Sequence, residues 1–236
     1  MMNIGIIGYG KMGKMIEKLA KSRNHTIGAI IDEPNWDPKK ISGLDVVIDF
    51  TNPQSAVQNI ENCFEENVPI VVGTTGWYKD YDHIIKLCQD KKGTLFTATN
   101  FSIGVNIFWH INKVLANVMN QYDDYNTTIN EVHHTEKLDS PSGTAISTAE
   151  ILIKELDRYS KWIEGKQNNQ ETIVIHAYRE KNVPGTHVVK YENDIDEITF
   201  SHQAKNRNGF ALGAILAAEF LKGKTGVYNM NDLIKF

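Results

Sequence analysis

The sequence predicts an α/β fold, a doubly wound parallel sheet joined to an α+β domain whose sheet is largely antiparallel. The first observation is that short apolar runs alternate with helix-like segments through residues 1–101, which is the pattern of consecutive βα units. The second is that the later part of the chain changes to β-branched and alternating runs, which are typical of antiparallel strands. These runs are residues 126–132, 172–178, 186–191 and 197–201.

A glycine-rich turn follows the first apolar strand, residues 4–7, and leads into a helix-like run. The turn reads Gly8, Tyr9, Gly10, Lys11, Met12, Gly13, and a second strand at residues 26–31 ends beside Asp32. In the Rossmann dinucleotide fingerprint such glycines allow a tight turn, close approach of a pyrophosphate and helix packing, while the acid binds ribose hydroxyls. The alternative is a glycine-rich turn without a ligand, but the complete set of elements favours a nicotinamide cofactor.

The residues around Asp32 bear on the choice of cofactor. Glu33 follows Asp32, and because an acidic pair repels a 2′-phosphate, the sequence favours NADH over NADPH. Lys11, Lys39 and Lys40 lie close enough in sequence to contact such a phosphate, so NADPH stays open.

The rest of the parallel sheet is predicted from three apolar runs and the helices between them. The strands are residues 46–49, 69–72 and 94–98, and the helices are residues 55–66 and 78–90. Ligands of open α/β sheets bind beyond the carboxyl ends of the strands, so Gly73, Thr74 and Thr75 are candidates to contact the nicotinamide or its ribose. An ordinary turn before a helix capped by Thr75 is an equal alternative. The loop at residues 98–104 opens a helix predicted at residues 105–119.

A second group of side chains that could bind or react with a ligand lies directly before a predicted helix. His133, His134, Lys137 and Asp139 precede Pro141, which fixes φ near a helical value, and Ser142, which can cap a helix predicted at residues 144–156. The N–H groups of Gly143 and Thr144 are expected to face the His and Lys cluster. A substrate carboxylate would there meet backbone donors, a helix dipole and an ammonium. The alternative is a capped helix after a solvated polar loop.

Composition excludes several classes of partner. The chain has 236 residues, a net charge of −4 and no patch that combines dense Lys and Arg with aromatic residues, so we expect no nucleic acid. No apolar run approaches the roughly 20 residues of a membrane span, and the first residues lack the basic start of a signal peptide. We expect a cytoplasmic protein. Cys63 and Cys88 fall inside predicted helices, where reduced core thiols are expected rather than a disulfide or a metal site.

The predicted elements divide the chain into two domains. Residues 157–170 are polar, and residues 167–170 look like a surface loop. Residues 209–221 form an alanine-rich apolar helix that should pack against the first domain. We therefore expect a dinucleotide-binding domain of residues 1–101, completed by residues 208–236, and a substrate-binding and oligomerisation domain of residues 102–207.

Residues 131–145 resemble the signature of the 4-hydroxy-tetrahydrodipicolinate reductase family, also called dihydrodipicolinate reductase. The chain has Glu131, the pair His133 and His134, Lys137, Asp139 and the run from Pro141 to Ala145 at the positions of that signature. Supporting matches occur at residues 8–13, 49–51, 73–76, 100–105 and 201–207. At position 33 the chain has Glu where some members have Arg, which argues against a strict NADPH requirement.

The resemblance implies NAD(P)H-dependent reduction of 4-hydroxy-tetrahydrodipicolinate to tetrahydrodipicolinate in lysine and diaminopimelate biosynthesis, by a homotetramer. It implies that His133 is a proton donor or acceptor and Lys137 a proton donor. It also implies that His134, Gly143 and Thr144 bind the dicarboxylate substrate. The implied cofactor-binding residues are Gly8, Tyr9, Gly10, Lys11, Met12, Gly13, Asp32, Gly73, Thr74, Thr75, Ala98, Thr99, Asn100 and Phe101.

Two alternatives differ in class from this function. Another two-domain NAD-dependent dehydrogenase would share every feature before residue 126 and would lack the cluster of His133, His134 and Lys137. A non-enzymatic NAD-binding regulatory module would keep the glycine turn, would need neither His133 nor Lys137, and would normally carry a basic DNA-reading segment.

Overall fold

The computed structural model describes residues 1–166 and 170–236. Within them the chain forms two compact units, one of Met1–Ile103 with Asn208–Phe236 and one of Gly104–Arg207. The surface loop predicted at residues 167–170 lies mostly outside the described residues. None of the described helices has the length and apolar character needed to cross a membrane.

The described elements are numbered in chain order. The strands are β1 Asn3–Ile7, β2 Thr26–Ile31, β3 Val46–Asp49, β4 Ile70–Val72, β5 Thr94–Thr97, β6 Asn126–His133, β7 Lys161–Glu164, β8 Thr172–Arg179, β9 Thr186–Glu192, β10 Glu197–Gln203 and β11 Gly226–Tyr228. The helices are α1 Lys11–Ser22, α2 Pro53–Glu65, α3 Tyr81–Asp90, α4 Ile103–Met119, α5 Gly143–Glu155, α6 Asn208–Phe220 and α7 Met230–Ile234, with 3-10 turns at Pro38–Ile41 and Tyr78–Asp80.

The first unit contains a six-stranded sheet in the order β11-β5-β4-β3-β1-β2. All its pairings are parallel, which confirms the predicted doubly wound sheet. Successive strand residues serve opposite faces: Val46 and Ile48 join the core cluster of α1 and α6, whereas Val47 joins that of α2 and α3. Strand order reverses between β1 and β3, and such switch points are where open α/β sheets bind ligands.

The second unit contains a five-stranded sheet in the order β10-β9-β6-β8-β7. β9 pairs antiparallel with β6 and β10, as expected. The expectation that β8 is antiparallel was wrong, because β8 pairs in parallel with both β6 and β7. The chain runs from β6 through α5 before it returns, and a helical crossover produces parallel neighbours. A β-branched run has no local signal for the direction of its partner.

Several boundaries differ from the prediction for local reasons. The polar segment at residues 157–170 contains β7, an edge strand whose exposed Lys161 and Glu164 account for its polarity. α3 has Asp80 at its N-cap and follows a separate 3-10 turn, so Thr75 does not cap it. The predicted cap is confirmed, because Ser142 is the N-cap of α5 and its hydroxyl accepts a bond from the Ala145 N–H, with Pro141 just before the helix. β11 and α7 were not predicted, since both are too short to show a period.

Candidate active site

The glycine turn after β1 consists of two packing positions and one open position. A Cβ on Gly8, whose φ is +87°, would lie 2.2 Å from the Phe50 carbonyl oxygen, and one on Gly13 would lie 2.2 Å from the Gly8 oxygen. Only glycine fits at either place. A Cβ on Gly10 would meet nothing within 4 Å among the described residues. The space beside Gly10 therefore admits an approaching ligand.

The start of α1 and the end of β2 lie beside this turn. No side chain caps α1 at Gly10, so its first backbone N–H groups are presented as a helix N-terminus suited to a phosphate. The Asp32 Oδ1 accepts a bond of 2.8 Å from the Tyr9 N–H, which fixes the carboxylate next to the turn. The Tyr9 hydroxyl donates to Glu17, so its side chain lies along α1. Lys11 is exposed, and Met12 packs against the core.

A cavity of about 590 Å³ lies at the carboxyl ends of β1, β2 and β3, within the size range of small-molecule sites. Gly8, Gly10 and Asp32 line it, together with Thr51 and Asn52 after β3. The described lining does not include Gly73, Thr74, Thr75 or the loop at residues 98–101. Of the predicted cofactor-binding residues, the structure thus places Gly8, Gly10 and Asp32 around this cavity.

The loop after β4 is held by a buried carboxylate. Asp49 has no exposed surface, and its oxygens accept bonds from the Thr51 and Thr74 hydroxyls and, at 2.7 Å, from the Asn59 amide. The Thr74 hydroxyl also accepts a bond of 2.7 Å from the Thr51 N–H. Burial raises the pKa of Asp49 despite these bonds, because its partners are neutral. The Thr74 hydroxyl is therefore already hydrogen-bonded within the protein, whereas the Thr75 side chain is exposed.

Gly73 and the loop after β5 are placed by packing. A Cβ on Gly73 would lie 2.1 Å from the Phe50 ring, so that ring requires a glycine here. Asn100 accepts a 2.9 Å bond from the Ser102 N–H, and Phe101 is buried in the core beside Phe96. Ala98 is half-buried and Thr99 is exposed. The Phe101 side chain therefore packs in the core, which leaves its backbone groups as the part that could contact a cofactor.

The second unit contains a buried cluster around Glu131, which has no exposed surface. One oxygen, Oε1, accepts a 2.9 Å bond from the Ser142 N–H. The other, Oε2, accepts the Ser142 hydroxyl and lies 3.3 Å from His133 Nδ1 and 3.6 Å from His187 Nε2. The predicted catalytic histidine thus shares one carboxylate oxygen with the N-cap residue of α5.

Electrostatics differ sharply within this cluster. Burial opposes ionisation of Glu131, yet the nearby His133 and His187 imidazoles and the two hydrogen bonds from Ser142 hold the pKa of its carboxyl far below its usual range. Burial lowers the pKa of His187, although Glu131 counteracts this effect. The cluster therefore contains an anion held by its neighbours and a second histidine whose burial disfavours the charged form.

Lys137 belongs to the same network through Asp139 and Arg179. The Lys137 Nζ lies 2.7 and 2.8 Å from the two Asp139 carboxylate oxygens. Arg179 donates a 2.6 Å bond to the Asp139 carbonyl oxygen, and its other terminal nitrogen lies 3.6 Å from Glu131 Oε1. The structure thereby links both predicted catalytic residues, His133 and Lys137.

His134 lines a separate basic cavity of about 540 Å³ together with Lys181, Lys205 and Arg207. Its Nε2 lies 2.9 Å from an Arg207 terminal nitrogen. The described lining of this cavity does not include Gly143 or Thr144, which begin α5. Gly143 is exposed, and no described atom lies within 4 Å of the position its Cβ would take. The Gly143 position at the start of this helix is therefore accessible to a ligand.

Sequence reasoning missed His187 and Arg179 as members of the cluster, and it gave Glu131 no separate role. Glu131 belongs to the recognised signature, so that signature marked its position but not its burial. His187 stands in an ordinary alternating strand and reaches the cluster because the register of β6 and β9 places it opposite Glu131. A single sequence contains no signal for that register.

Comparisons with known proteins agree across the chain. The family model described as dihydrodipicolinate reductase, N-terminus, matches residues 2–101, and the one described as its C-terminus matches residues 104–234. A 4-hydroxy-tetrahydrodipicolinate reductase of Christiangramia forsetii is 45% identical over 235 residues, which cover 99% of this chain and 98% of that protein. One from Neisseria gonorrhoeae is 36% identical over 80% of this chain and 72% of that protein.

Solved structures resemble the chain in fold. A dipicolinate-bound dihydrodipicolinate reductase from Paenisporosarcina sp. TG-14 covers 99% of each chain with a TM-score of 0.80 at 23% identity. A probable dehydrogenase from Thermotoga maritima reaches a TM-score of 0.57 at 12% identity, over 98% of this chain and 92% of that one. The two family models together match nearly the whole sequence and confirm the predicted resemblance. This chain belongs to the dihydrodipicolinate reductase family.

Proposed function

We propose that the chain reduces 4-hydroxy-tetrahydrodipicolinate to tetrahydrodipicolinate with a nicotinamide cofactor, in the lysine and diaminopimelate route. Family membership and the full-length relative from Christiangramia forsetii support the reaction. The structural observation that carries it is the network from Lys137 through Asp139 and Arg179 to Glu131 and His133. It groups His133 and Lys137, the residues that we expect to transfer protons, with the exposed Gly143 at the start of α5.

The first unit fits the cofactor. The backbone of the glycine turn and the uncapped start of α1 would hold the pyrophosphate, and the second oxygen of Asp32 would bind ribose hydroxyls. The loops at residues 73–75 and 98–101 would contact the nicotinamide half, through backbone groups where their side chains are buried. The bound cofactor supplies the hydride.

NADH is the favoured cofactor because Asp32 and Glu33 are both exposed beside the cavity. Lys40 forms an ion pair with Glu33, so this lysine is already engaged by an acid. Lys11 and Lys39 are exposed and leave use of NADPH open. Replacement of Asp32 by Ser is expected to raise the KM for NADH and to bring the KM values of NADH and NADPH closer together, as initial-rate kinetics would measure.

The substrate is a dianion, and the second unit offers complementary groups for it. The N–H groups of Gly143 and Thr144 at the start of α5 would bind one carboxylate, helped by the helix dipole. His134, beside Arg207 in the basic cavity, would bind a carboxylate as well. The Lys137 ammonium adds attraction close to the reacting ring.

Proton transfer falls to His133 and Lys137. Histidine gains or loses a proton near neutral pH, and lysine stays protonated there, so both can donate as charge develops on the ring. The Glu131 carboxylate lies beside His133 Nδ1 and would orient its ring, and Asp139 holds the Lys137 ammonium in place. These residues orient and supply protons while the hydride comes from the cofactor.

We also propose a homotetramer in the cytoplasm. In support of self-association, helix α4 exposes Ile107, Ile111, Val114 and Val118 at helical spacing, and subunit contacts commonly cover such apolar stripes. Analytical ultracentrifugation would measure the assembly, and a monomer at micromolar concentration would contradict it.

The function is tested by an assay that generates 4-hydroxy-tetrahydrodipicolinate in place and follows the loss of absorbance of NADH and, separately, NADPH. Turnover with at least one cofactor is the expected result, and the two rates rank the cofactors. Measurable NADH binding without turnover would indicate another two-domain dehydrogenase, since the site around the glycine turn would then be functional with a different substrate.

A further inference from the structure

His187 is a buried histidine that the proposed reaction does not use. It is 4% exposed and lies on β9, in the register position opposite Glu131 on β6. Its Nε2 lies 3.2 Å from the Ser142 hydroxyl oxygen and 3.6 Å from Glu131 Oε2. The carboxylate that contacts His133 is therefore also contacted by a second imidazole and by the N-cap of α5.

The His133 ring is confined on both of its nitrogen edges. Nδ1 is buried and lies 3.3 Å from Glu131 Oε2, and its geometry does not meet that of a hydrogen bond to any described atom. Catalytic contacts of this kind often tighten only when substrate is bound. Nε2 lies next to Gly185, where an added Cβ would come within 2.9 Å of it. The Nδ1 edge thus faces an anion, and the Nε2 edge faces a position kept clear by glycine.

We propose that Glu131 and His187 are positioning residues for His133. Glu131 holds the proton of His133 on Nδ1, so that Nε2 is the atom that exchanges a proton with the substrate, and His187 with Ser142 keeps the Glu131 carboxylate in place. This inference rests on the proposed function for its kinetic consequence. When protonated His133 donates, its Nε2–H bond breaks, the proton bonds to the substrate ring, and the proton on Nδ1 stays in place beside Glu131. A water proton restores the imidazolium.

The charged groups around Glu131 favour a positioning role for its carboxylate over a role as a metal ligand. Ligand atoms of Glu131, His133 and His187 lie within 4.8 Å of one another, a spacing that a metal ion could also use. Ser142 already donates its N–H and hydroxyl to the carboxylate, and the Arg179 guanidinium lies 3.6 Å from Oε1. Both Arg179 and Lys137 repel an added cation. The carboxylate is thus already compensated by the protein.

The test uses the full chain with Glu131→Gln, His187→Gln and, as a matched control, His176→Gln. His176 lies on β8 opposite Asn130, on the other face of the same sheet. Two measurements are made: kcat and KM across pH, and the tautomers of the ¹⁵N-labelled histidines by NMR, with His133 assigned by comparison with His133→Gln. Circular dichroism confirms that each variant is folded.

We expect Glu131→Gln to lower kcat on the order of 10²-fold with the substrate KM changed less than about threefold, because orientation and charge are lost but binding groups remain. His133 should change from mainly Nδ1–H toward Nε2–H. His187→Gln should lower kcat about tenfold with a smaller tautomer change, and His176→Gln should leave both quantities unaltered.

Several results would overturn the inference. Folded Glu131→Gln with an unchanged His133 tautomer would show that the carboxylate does not position the ring, whatever the enzyme's activity. An equal loss in His176→Gln would indicate a general effect on the sheet. A change in the rate of the unmodified enzyme on addition of a chelator would identify a metal site. Absence of turnover in the unmodified chain would count against the proposed function alone, because the NMR measurement still reports on positioning.

Discussion

Each unit of the molecule contains a carboxylate with no exposed surface, Asp49 at the end of β3 and Glu131 near the end of β6, yet their ionisation is driven in opposite directions. Asp49 is surrounded by two threonine hydroxyls and an asparagine amide, and burial raises the pKa of its carboxyl. Glu131 meets a backbone N–H, a hydroxyl, two imidazoles and a guanidinium, and the pKa of its carboxyl is held far below the usual range.

Burial therefore does not decide the charge of a carboxylate, because the donors around it do. The neutral surroundings of Asp49 suit a structural task, the connection of the loops after β3 and β4 on the cofactor side of the sheet. The surroundings of Glu131, which include the Arg179 guanidinium and two imidazoles, suit the chemical task that we propose for it, the positioning of His133. In the first unit the candidate site relies on backbone groups, and in the second it relies on charged side chains.

The largest effect on activity is expected from replacing His133 or Lys137, the two residues proposed to transfer protons. His133→Gln and Lys137→Met should each lower kcat about 10²- to 10⁴-fold, the usual contribution of acid–base groups, while NADH binding by the first unit is unchanged. Steady-state kinetics and fluorescence titration with NADH measure the two quantities. Near-normal turnover in either variant would remove that residue from the mechanism.

Removal of each buried carboxylate should destabilise the protein by a different amount. Glu131→Ala leaves His187, His133 and Arg179 without their shared anion, and breaking a buried charged network costs about 3–5 kcal/mol. Asp49→Ala leaves only neutral donors unpaired, at about 1–3 kcal/mol. Urea unfolding monitored by tryptophan fluorescence compares the free energies of unfolding. A larger loss for Asp49→Ala would contradict the assignment of the charged network to Glu131.

Two glycine substitutions should separate folding from ligand binding in the first unit. Gly8→Ala places a Cβ at positive φ and 2.2 Å from the Phe50 oxygen, so it should lower stability by at least about 1–3 kcal/mol. Gly10→Ala meets nothing within 4 Å among the described residues, so stability should change by less than about 1 kcal/mol while the cofactor KM rises about tenfold. An unchanged cofactor KM in Gly10→Ala would show that no ligand approaches there.

The smallest effect is expected in the pH dependence of stability, and it has opposite sign for the two carboxylates. The pKa of Glu131 is lowered from 4.5, so its ionised form stabilises the folded state above that pH and the advantage over Glu131→Gln declines as pH falls below it. The pKa of Asp49 is raised from 3.8, so stability relative to Asp49→Asn increases as pH falls toward that value. Unfolding free energies measured across this range give both slopes, and slopes of equal sign would contradict the comparison.

Much of the first unit could be predicted because its signals are local. The strand, glycine turn, helix and acid of residues 4–32 are adjacent in sequence, and buried parallel strands appear as continuous apolar runs. The family, the fold class and the reductase function were predicted and are confirmed, because the signature at residues 131–145 is also continuous. The roles of single residues, the domain limits, the cofactor preference and the tetramer stay predictions.

The sequence by itself determined the family, through the signature at residues 131–145, and the glycines that the dinucleotide turn requires, because local backbone geometry and contiguous motifs depend on neighbouring positions. Only the tertiary structure decided the direction of β8, the burial of Glu131 and Asp49, and the approach of His187 to Ser142 across 45 positions. These depend on strand register and on how helices cover a sheet. Such long-range pairings are selected by the packing of the whole unit and leave no pattern in any one segment.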